Sequence, residues 1–266
     1  MKLKKLIEYL GEFAPLELAE DWDNVGLLVG DENAEICRVL TCLTLTPDVV
    51  VEAIQHQAEL IVSHHPIMFR SINKITSQNS EGQMLLDLVS NKIAVYSPHT
   101  AFDSSALGIN EQLATDLGLT SIKPIRPIES ESVPSGSGSG RFGKLNREME
   151  LEKFLDHVKQ TLQIPFLQYT GNLSQKISTV GVACGSAAEY LQDAVRLGCD
   201  VLVTGEARFH ASLEARILET AMVLTGHFAS ERPAVERLAV LLAEEFPNLK
   251  TWASEVESDP VQWSVS

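Results

Sequence analysis

Several apolar runs of this chain end in side chains that can bind a metal or move a proton. Ile61-Val62-Ser63-His64-His65-Pro66 delivers two adjacent imidazoles, and Ser97-Pro98-His99-Thr100-Ala101-Phe102-Asp103 a third imidazole and a carboxylate. Val201-Leu202-Val203-Thr204-Gly205-Glu206 leads to Glu206 and His210, and Gly226-His227-Phe228-Ala229-Ser230-Glu231 supplies His227 and Glu231. Five of the seven histidines fall in these stretches, leaving His56 and His157 outside. Imidazole and carboxylate without neighbouring thiolates suit Zn²⁺, Fe²⁺, Mn²⁺ or Ni²⁺ rather than an iron–sulfur cluster. Glu206/His210 and His227/Glu231 have i,i+4 spacing, so on the first turn of a helix each pair shares one face. Pro233 fits such a first turn. Each part alone has a plainer reading. Adjacent histidines occur in ordinary polar structure, i,i+4 His/Glu pairs decorate solvated helices, and Asp103 before Ser104-Ser105 reads as a helix cap. The recurrence of such groups at the same end of successive strands is what points to a metal site.

The elements that must carry these groups follow from periodicity and punctuation. Leu3, Leu6, Ile7, Leu10 and Phe13 mark one face of a helix. Leu27 to Gly30 and Val39 to Leu45 read as strands. Thr46-Pro47 reads as N-cap and N1 of a helix to about Gln57, and Leu60 to Ser63 as the next strand. Strand–helix–strand implies a parallel pair. Helix Glu81–Asn91, strand Ile93–Tyr96 and a helix from Gly108 to Leu117 continue the pattern. Pro124 to Gly143 holds three prolines and four glycines, with Ser/Gly alternation, and reads as a flexible linker. Beyond it come a helix from Met149 to Leu162, strands Pro165–Tyr169 and Ile177–Ala183, a helix to about Gly198, strand Asp200–Glu206, a helix through Glu214 to Glu219, strand Met222–Thr225 and a last helix to Phe246. The expected organisation is α/β in two related halves facing one another. The first spans 1–123, with the final helices 226–248 packing back near it. A linker at 124–145, a second domain at 146–248 and a tail at 249–266 complete it.

Composition narrows the function classes. The chain has 266 residues, 44% of them hydrophobic and 21% charged, an ordinary globular mixture. Its 36 acidic against 21 basic side chains give −15, which argues against a general nucleic-acid binder. An anionic substrate stays open, because a bound metal reverses the local sign. Cys37, Cys42, Cys184 and Cys199 form no CxxC pair and read as buried small hydrophobes in a reducing cytoplasm. Met1 to Ile7 lacks the apolar core of a signal peptide, and no stretch is long enough to span a bilayer. A cytoplasmic location is expected.

At the residues quoted above, together with Trp22-Asp23-Asn24-Val25-Gly26-Leu27 and Gly138-Ser139-Gly140-Arg141-Phe142-Gly143, the chain resembles the Nif-three-like dinuclear-metal-centre hexameric family, also described as GTP cyclohydrolase type-two homologues. The resemblance runs from the amino terminus to about Phe246. It implies two similar α/β domains packed face to face with two divalent metal ions between them, and assembly as a toroidal homohexamer. It implies His64, His65, Asp103, His227 and Glu231 as metal ligands, with His99, Glu206 and His210 lining the same cleft as acid–base candidates. Some members carry a further domain inserted after the first half; this chain is too short for one, and 124–143 stands where it would go. The match of Gly138 to Gly143 places Arg141 near the site. Thr44 stands where related chains often have an acidic residue, and the tail from Leu249 carries no family motif and no assigned role. Adjacent side chains of an unbroken strand would diverge; Pro66 supplies a break there, and each imidazole is expected to serve a different metal.

Two metals sharing a water lower its pKa and clamp a leaving oxygen. The expected function is therefore a metal-dependent hydrolase acting on a small molecule, a nucleotide or phosphate ester, with cyclohydrolysis one form of it. The alternatives are a non-enzymatic metal-binding hexameric scaffold, or histidines that serve only as core and capping groups.

Overall fold

The computed structural model describes residues 1–264 and is a mixed α/β structure. In chain order its elements are α1 (Leu3–Phe13), β1 (Gly26–Val29), β2 (Arg38–Cys42), α2 (Pro47–Gln55), β3 (Leu60–Ser63), α3 (Ser80–Ser90), β4 (Ala94–Ser97), α4 (His99–Ser104), α5 (Ile109–Asp116), β5 (Leu119–Lys123), β6 (Arg126–Pro127), β7 (Gly138–Ser139) and β8 (Arg141–Glu150). There follow α6 (Leu151–Leu162), β9 (Gln168–Thr170), β10 (Lys176–Ala183), α7 (Leu191–Arg196), β11 (Val201–Thr204), α8 (Phe209–Ile217), β12 (Ala221–Leu224), α9 (His227–Glu245) and β13 (Lys250–Ala253). No helix among the described residues is long and apolar enough to cross a membrane.

The chain divides into two compact units, Met1–Phe102 with Arg232–Ser258, and Asp103–Glu231 with Asp259–Ser266. The first unit holds a sheet in the order β1-β4-β3-β2-β13, parallel except for β1. Its three central strands are linked by α2 and α3. Thr46 Oγ1 accepts from Val49 N with Pro47 in the first turn of α2, a cap worth about 1 kcal/mol. Asn79 caps α3 in the same way. Leu40, Val49, Ala53, Ile61, Leu88 and Val95 fill the layer between sheet and helices. The second unit repeats the theme. Its sheet runs β5-β8-β10-β11-β12-β9, with β10, β11 and β12 parallel and linked by α7 and α8. Ala183, Leu191, Ala194, Leu202, Ala215 and Met222 pack between them.

The boundaries differ from those read in the sequence. The first division lies at Phe102/Asp103 rather than 123/124, and residues 124–143 are not a bare linker. They form the β6–β7 hairpin and enter β8, which pairs with β5 and β10. Glycine composition that reads as flexibility is here a packing requirement. Gly138 has φ +145, and a Cβ on it would collide with Arg126 O and Pro127 Cα. The tail is also built in. β13 lies parallel to β2, and the buried Glu52 carboxylate accepts from Ser254 Oγ (2.5 Å), Glu255 N (3.0 Å) and Trp252 Nε1 (3.2 Å). Pro233 lies inside α9, beyond its first turn. Cys37 is exposed, while Cys42, Cys184 and Cys199 are buried as expected.

Candidate metal centre

In the first unit the chain leaves β3 at Ser63, so the strict alternation of a strand no longer separates His64 from His65. Their amides donate to Cys42 O and Leu43 O (2.9 and 2.8 Å), while Ser97 Oγ holds His64 O (2.7 Å) and Ser63 Oγ holds His65 O (2.8 Å). The two rings lie side by side, as the break in the strand allows: their centroids are 5.0 Å apart, and the His99 ring stands 5.2 Å from His64 and 5.6 Å from His65. One ring nitrogen from each of the three lies within 4.8 Å of the other two. His64 is buried, with only 2% of its surface exposed.

Each of two imidazoles is oriented through its Nδ1. His99 Nδ1 lies 2.8 Å from both carboxylate oxygens of Asp23, whose side chain is fully buried. Thr100 adds its hydroxyl at 2.5 Å and its amide at 3.2 Å. Burial alone would raise the Asp23 pKa; the hydrogen bonds from His99 and Thr100 outweigh it and hold the carboxyl below its usual range. Thr44 Oγ1 lies 2.7 Å from His65 Nδ1. A proton on Nδ1 puts the lone pair on Nε2, the arrangement that metal-ligating histidines share. Three imidazoles, two of them so oriented, therefore fit a divalent cation in chemistry as well as in spacing. His99 carries a backbone φ of +30, a strained value for a residue with a side chain, of the kind that clusters at functional sites.

In the second unit His227 and Glu231 face one another across the first turn of α9, with Nε2 3.0 Å from Oε2. Glu206 Oε1 holds the other nitrogen, Nδ1, at 2.8 Å. The hydrogen bond from Glu231 is the largest influence; burial works against it, and Glu206 adds to it. Together they push the imidazole up to about 9. Near neutral pH a proton therefore occupies the place between His227 and Glu231, and a cation entering there must displace it. Ser230 Oγ donates to His227 O (2.8 Å) and accepts from Gly185 N (3.0 Å). Gly185 has φ +66, a backbone conformation that favours glycine, and a Cβ on it would meet Glu231 Oε1. Asp103, one helical turn beyond His99 on α4, accepts from Cys184 Sγ at 3.3 Å. Burial and then the Asp103 charge push the Cys184 thiol well up, so it serves as a neutral donor. Asn110 ties the Asp103 carbonyl (3.1 Å) to the Cys184 amide (2.8 Å).

The structure thus gathers His64, His65 and His99 in one group and His227, Glu231 and Glu206 in another. It does not bring His210 to the second. Glu206 lies in the loop before α8 and only His210 is on the helix, so their i,i+4 spacing is not helical, and exposed His210 meets the ring of Phe209. Arg141 is fully buried, with Nε 2.7 Å from Glu111 Oε2 and its other donors on the carbonyls of Gly138, Gly140 and Ser105. It clamps the hairpin and the end of α4 rather than presenting a charge to a ligand. The sequence signals Asp23 and Thr44 only through the run Trp22-Asp23-Asn24 and the missing acid at Thr44, and neither signal points to a hydrogen bond with a distant ring.

Residues 1–260 match the family described as Duf34/NIF3 (NGG1p interacting factor 3). The chain is 35% identical over 235 residues to a Clostridium acetobutylicum protein named GTP cyclohydrolase 1 type 2 homolog, covering 88% of this chain and 87% of that one. It is 33% identical to NIF3-like protein 1 of Drosophila melanogaster, over 98% of this chain and 88% of the other. Among solved structures, Staphylococcus aureus protein SA1388 superposes with a TM-score of 0.90 at 30% identity, covering 99% of both chains.

Proposed function

The chain belongs to the Duf34/NIF3 family, and from that premise we propose that it is a dinuclear metal-dependent hydrolase acting on a nucleotide or phosphate ester. The observation that carries the reading is the gathering of His64, His65 and His99 nitrogens within 4.8 Å, with Asp23 and Thr44 behind two of the rings. In this reading His64, His65, Asp103, His227 and Glu231 hold the two ions. A pair of bound divalent ions supplies a water of lowered pKa and a clamp for the leaving oxygen. His99 moves the proton: the Asp23 carboxylate fixes its tautomer and makes it a better base, as a carboxylate does for the histidine of a catalytic pair. Glu206 orients His227 rather than acting as the acid. The name GTP cyclohydrolase 1 type 2 homolog, borne by a relative, favours a nucleotide among the substrates, and self-association as a homohexamer belongs to the same reading.

The test is metal analysis by mass spectrometry on protein purified without an affinity tag, then a panel of nucleotides and phosphoesters. About two ions per chain and turnover of at least one substrate, lost on His99→Ala with metal retained, are expected. Two bound ions and no turnover across the panel would leave a metal-binding scaffold as the better description, with the assembly state from light scattering as its readout.

A further inference from the structure

Two large aromatic rings stand exposed at the edge of the imidazole group. Trp22 is 61% exposed and Phe69 55%. They come from separate loops, yet their centroids are 5.7 Å apart, and each lies 6.1 Å from the His99 ring, meeting it edge to face. Leaving two aromatic rings in water forgoes burial worth about 1.5–3 kcal/mol for a side chain of that size. The loops are nevertheless tied down on both sides of Trp22. Glu20 N donates to Thr100 Oγ1 (3.0 Å), Asp23 is held by His99 and Thr100, and Asn24 Nδ2 donates to Met68 O (2.7 Å), beside Phe69. The rings are therefore exposed on a fixed base. Arg70, next in the chain to Phe69, is also exposed, in a protein whose net charge is −15.

We infer that Trp22 and Phe69 form a stacking platform for a planar heteroaromatic ring carried on an anionic tail, as in a nucleotide, beside the His64–His65–His99 group. The inference rests on the metal-site reading above and gives that site its substrate class. Two rings offer far less than the roughly 1,000 Å² that a protein partner needs. They do match one heterocycle, whose π-face stacks on an aromatic side chain in any base. The shared neighbour, His99, puts the sugar and phosphate end of such a ligand toward the groups able to act on it, and Arg70 adds a cation for that end.

The experiment compares guanosine 5′-monophosphate with ribose 5-phosphate, which keeps the anion and lacks the ring. Both are titrated by calorimetry and tryptophan fluorescence into the full-length metal-loaded protein. The expected result is about tenfold tighter binding of the nucleotide with quenching of fluorescence. Trp22→Ala is expected to abolish the quench and bring the two affinities together. Trp22→Phe keeps most of the preference, and Phe69→Ala lowers it about threefold. Metal content stays at the wild-type level in all three. Equal affinities in the wild type, a preference that survives Trp22→Ala together with Phe69→Ala, or no detectable binding of either compound would overturn the platform. Protein that takes up no metal yet prefers the nucleotide would overturn the metal reading and leave the platform standing. Metal-loaded protein without the preference would do the reverse.

Discussion

At the scale of single residues, the chemistry sits in pairs whose second member is remote in sequence. Asp23 reaches His99 across 76 positions, and Thr44 reaches His65 across 21. Removing the charge with Asp23→Asn leaves a side chain of the same shape but a weaker acceptor. It is expected to lower turnover at least about 100-fold with both ions retained, because His99 loses the carboxylate that sets its tautomer. Steady-state kinetics beside metal analysis measures this, and unchanged turnover would show that Asp23 only holds the loop. The imidazoles were legible in the sequence because strand ends, prolines and histidine spacing are local signals. Asp23 and Thr44 were not, because an aspartate in a polar loop and a threonine after a strand look the same whether or not a distant ring turns toward them. The helical spacing of Glu206 and His210 misled for the converse reason: α8 begins at Phe209, three residues too late for the pair to share a turn.

At the scale of elements, the Gly/Ser stretch shows how composition misleads when a single buried ion organises it. Arg141 spends its donors on Glu111 and three backbone carbonyls, so shortening it leaves buried acceptors without partners. Arg141→Met is expected to cost about 3–5 kcal/mol. Arg141→Lys should recover little of that, since an ammonium cannot reproduce the planar fork; urea denaturation gives both values. A second link between elements gives a pH signature. Asp193 of α7 is bound by Arg126 of β6 (2.6 Å) and by Arg196, and Arg126 also lies 4.1 Å over the Tyr190 ring. Burial would raise the Asp193 pKa, but the hydrogen bonds from Arg196 and Arg126 outweigh it and set the folded value below the ordinary one. The stabilisation is then fully present above the unfolded pKa of about 3.9 and lost as pH falls through the folded value. Asp193→Asn should therefore be less stable than wild type by up to about 1 kcal/mol at pH 7, with the gap closing below about pH 4. A gap that widens in acid would contradict the sign.

At the scale of the whole molecule, the chain passes from the first unit to the second at Phe102/Asp103 and returns at Glu231/Arg232. It crosses once more at Ser258/Asp259, so Asp103 and Glu231, two of the proposed ligands, stand at two of three passages. Stripping the metal should destabilise the fold, because bound ions stabilise the state that binds them. Each ion present at about 100 times its dissociation constant contributes about 2.7 kcal/mol. For a chain of this size that is roughly 5–10 °C in melting temperature per ion, read by calorimetry before and after chelation. A melting temperature unmoved by complete removal of metal, verified by mass spectrometry, would count against any structural role for the ions.

The placement of β13 has a consequence for biosynthesis. As the chain leaves the ribosome, every strand of the second unit's sheet has been made by Leu224, whereas the first unit's sheet still lacks Lys250–Ala253 along β2. Glu257, made later still, takes the amides of Leu43 and Thr44 at 2.9 and 2.6 Å, and Thr44 in turn steadies His65. The half begun first is thus finished last. A nascent chain arrested before residue 250 has all its histidines translated, but the loop that aims one of them is not yet anchored.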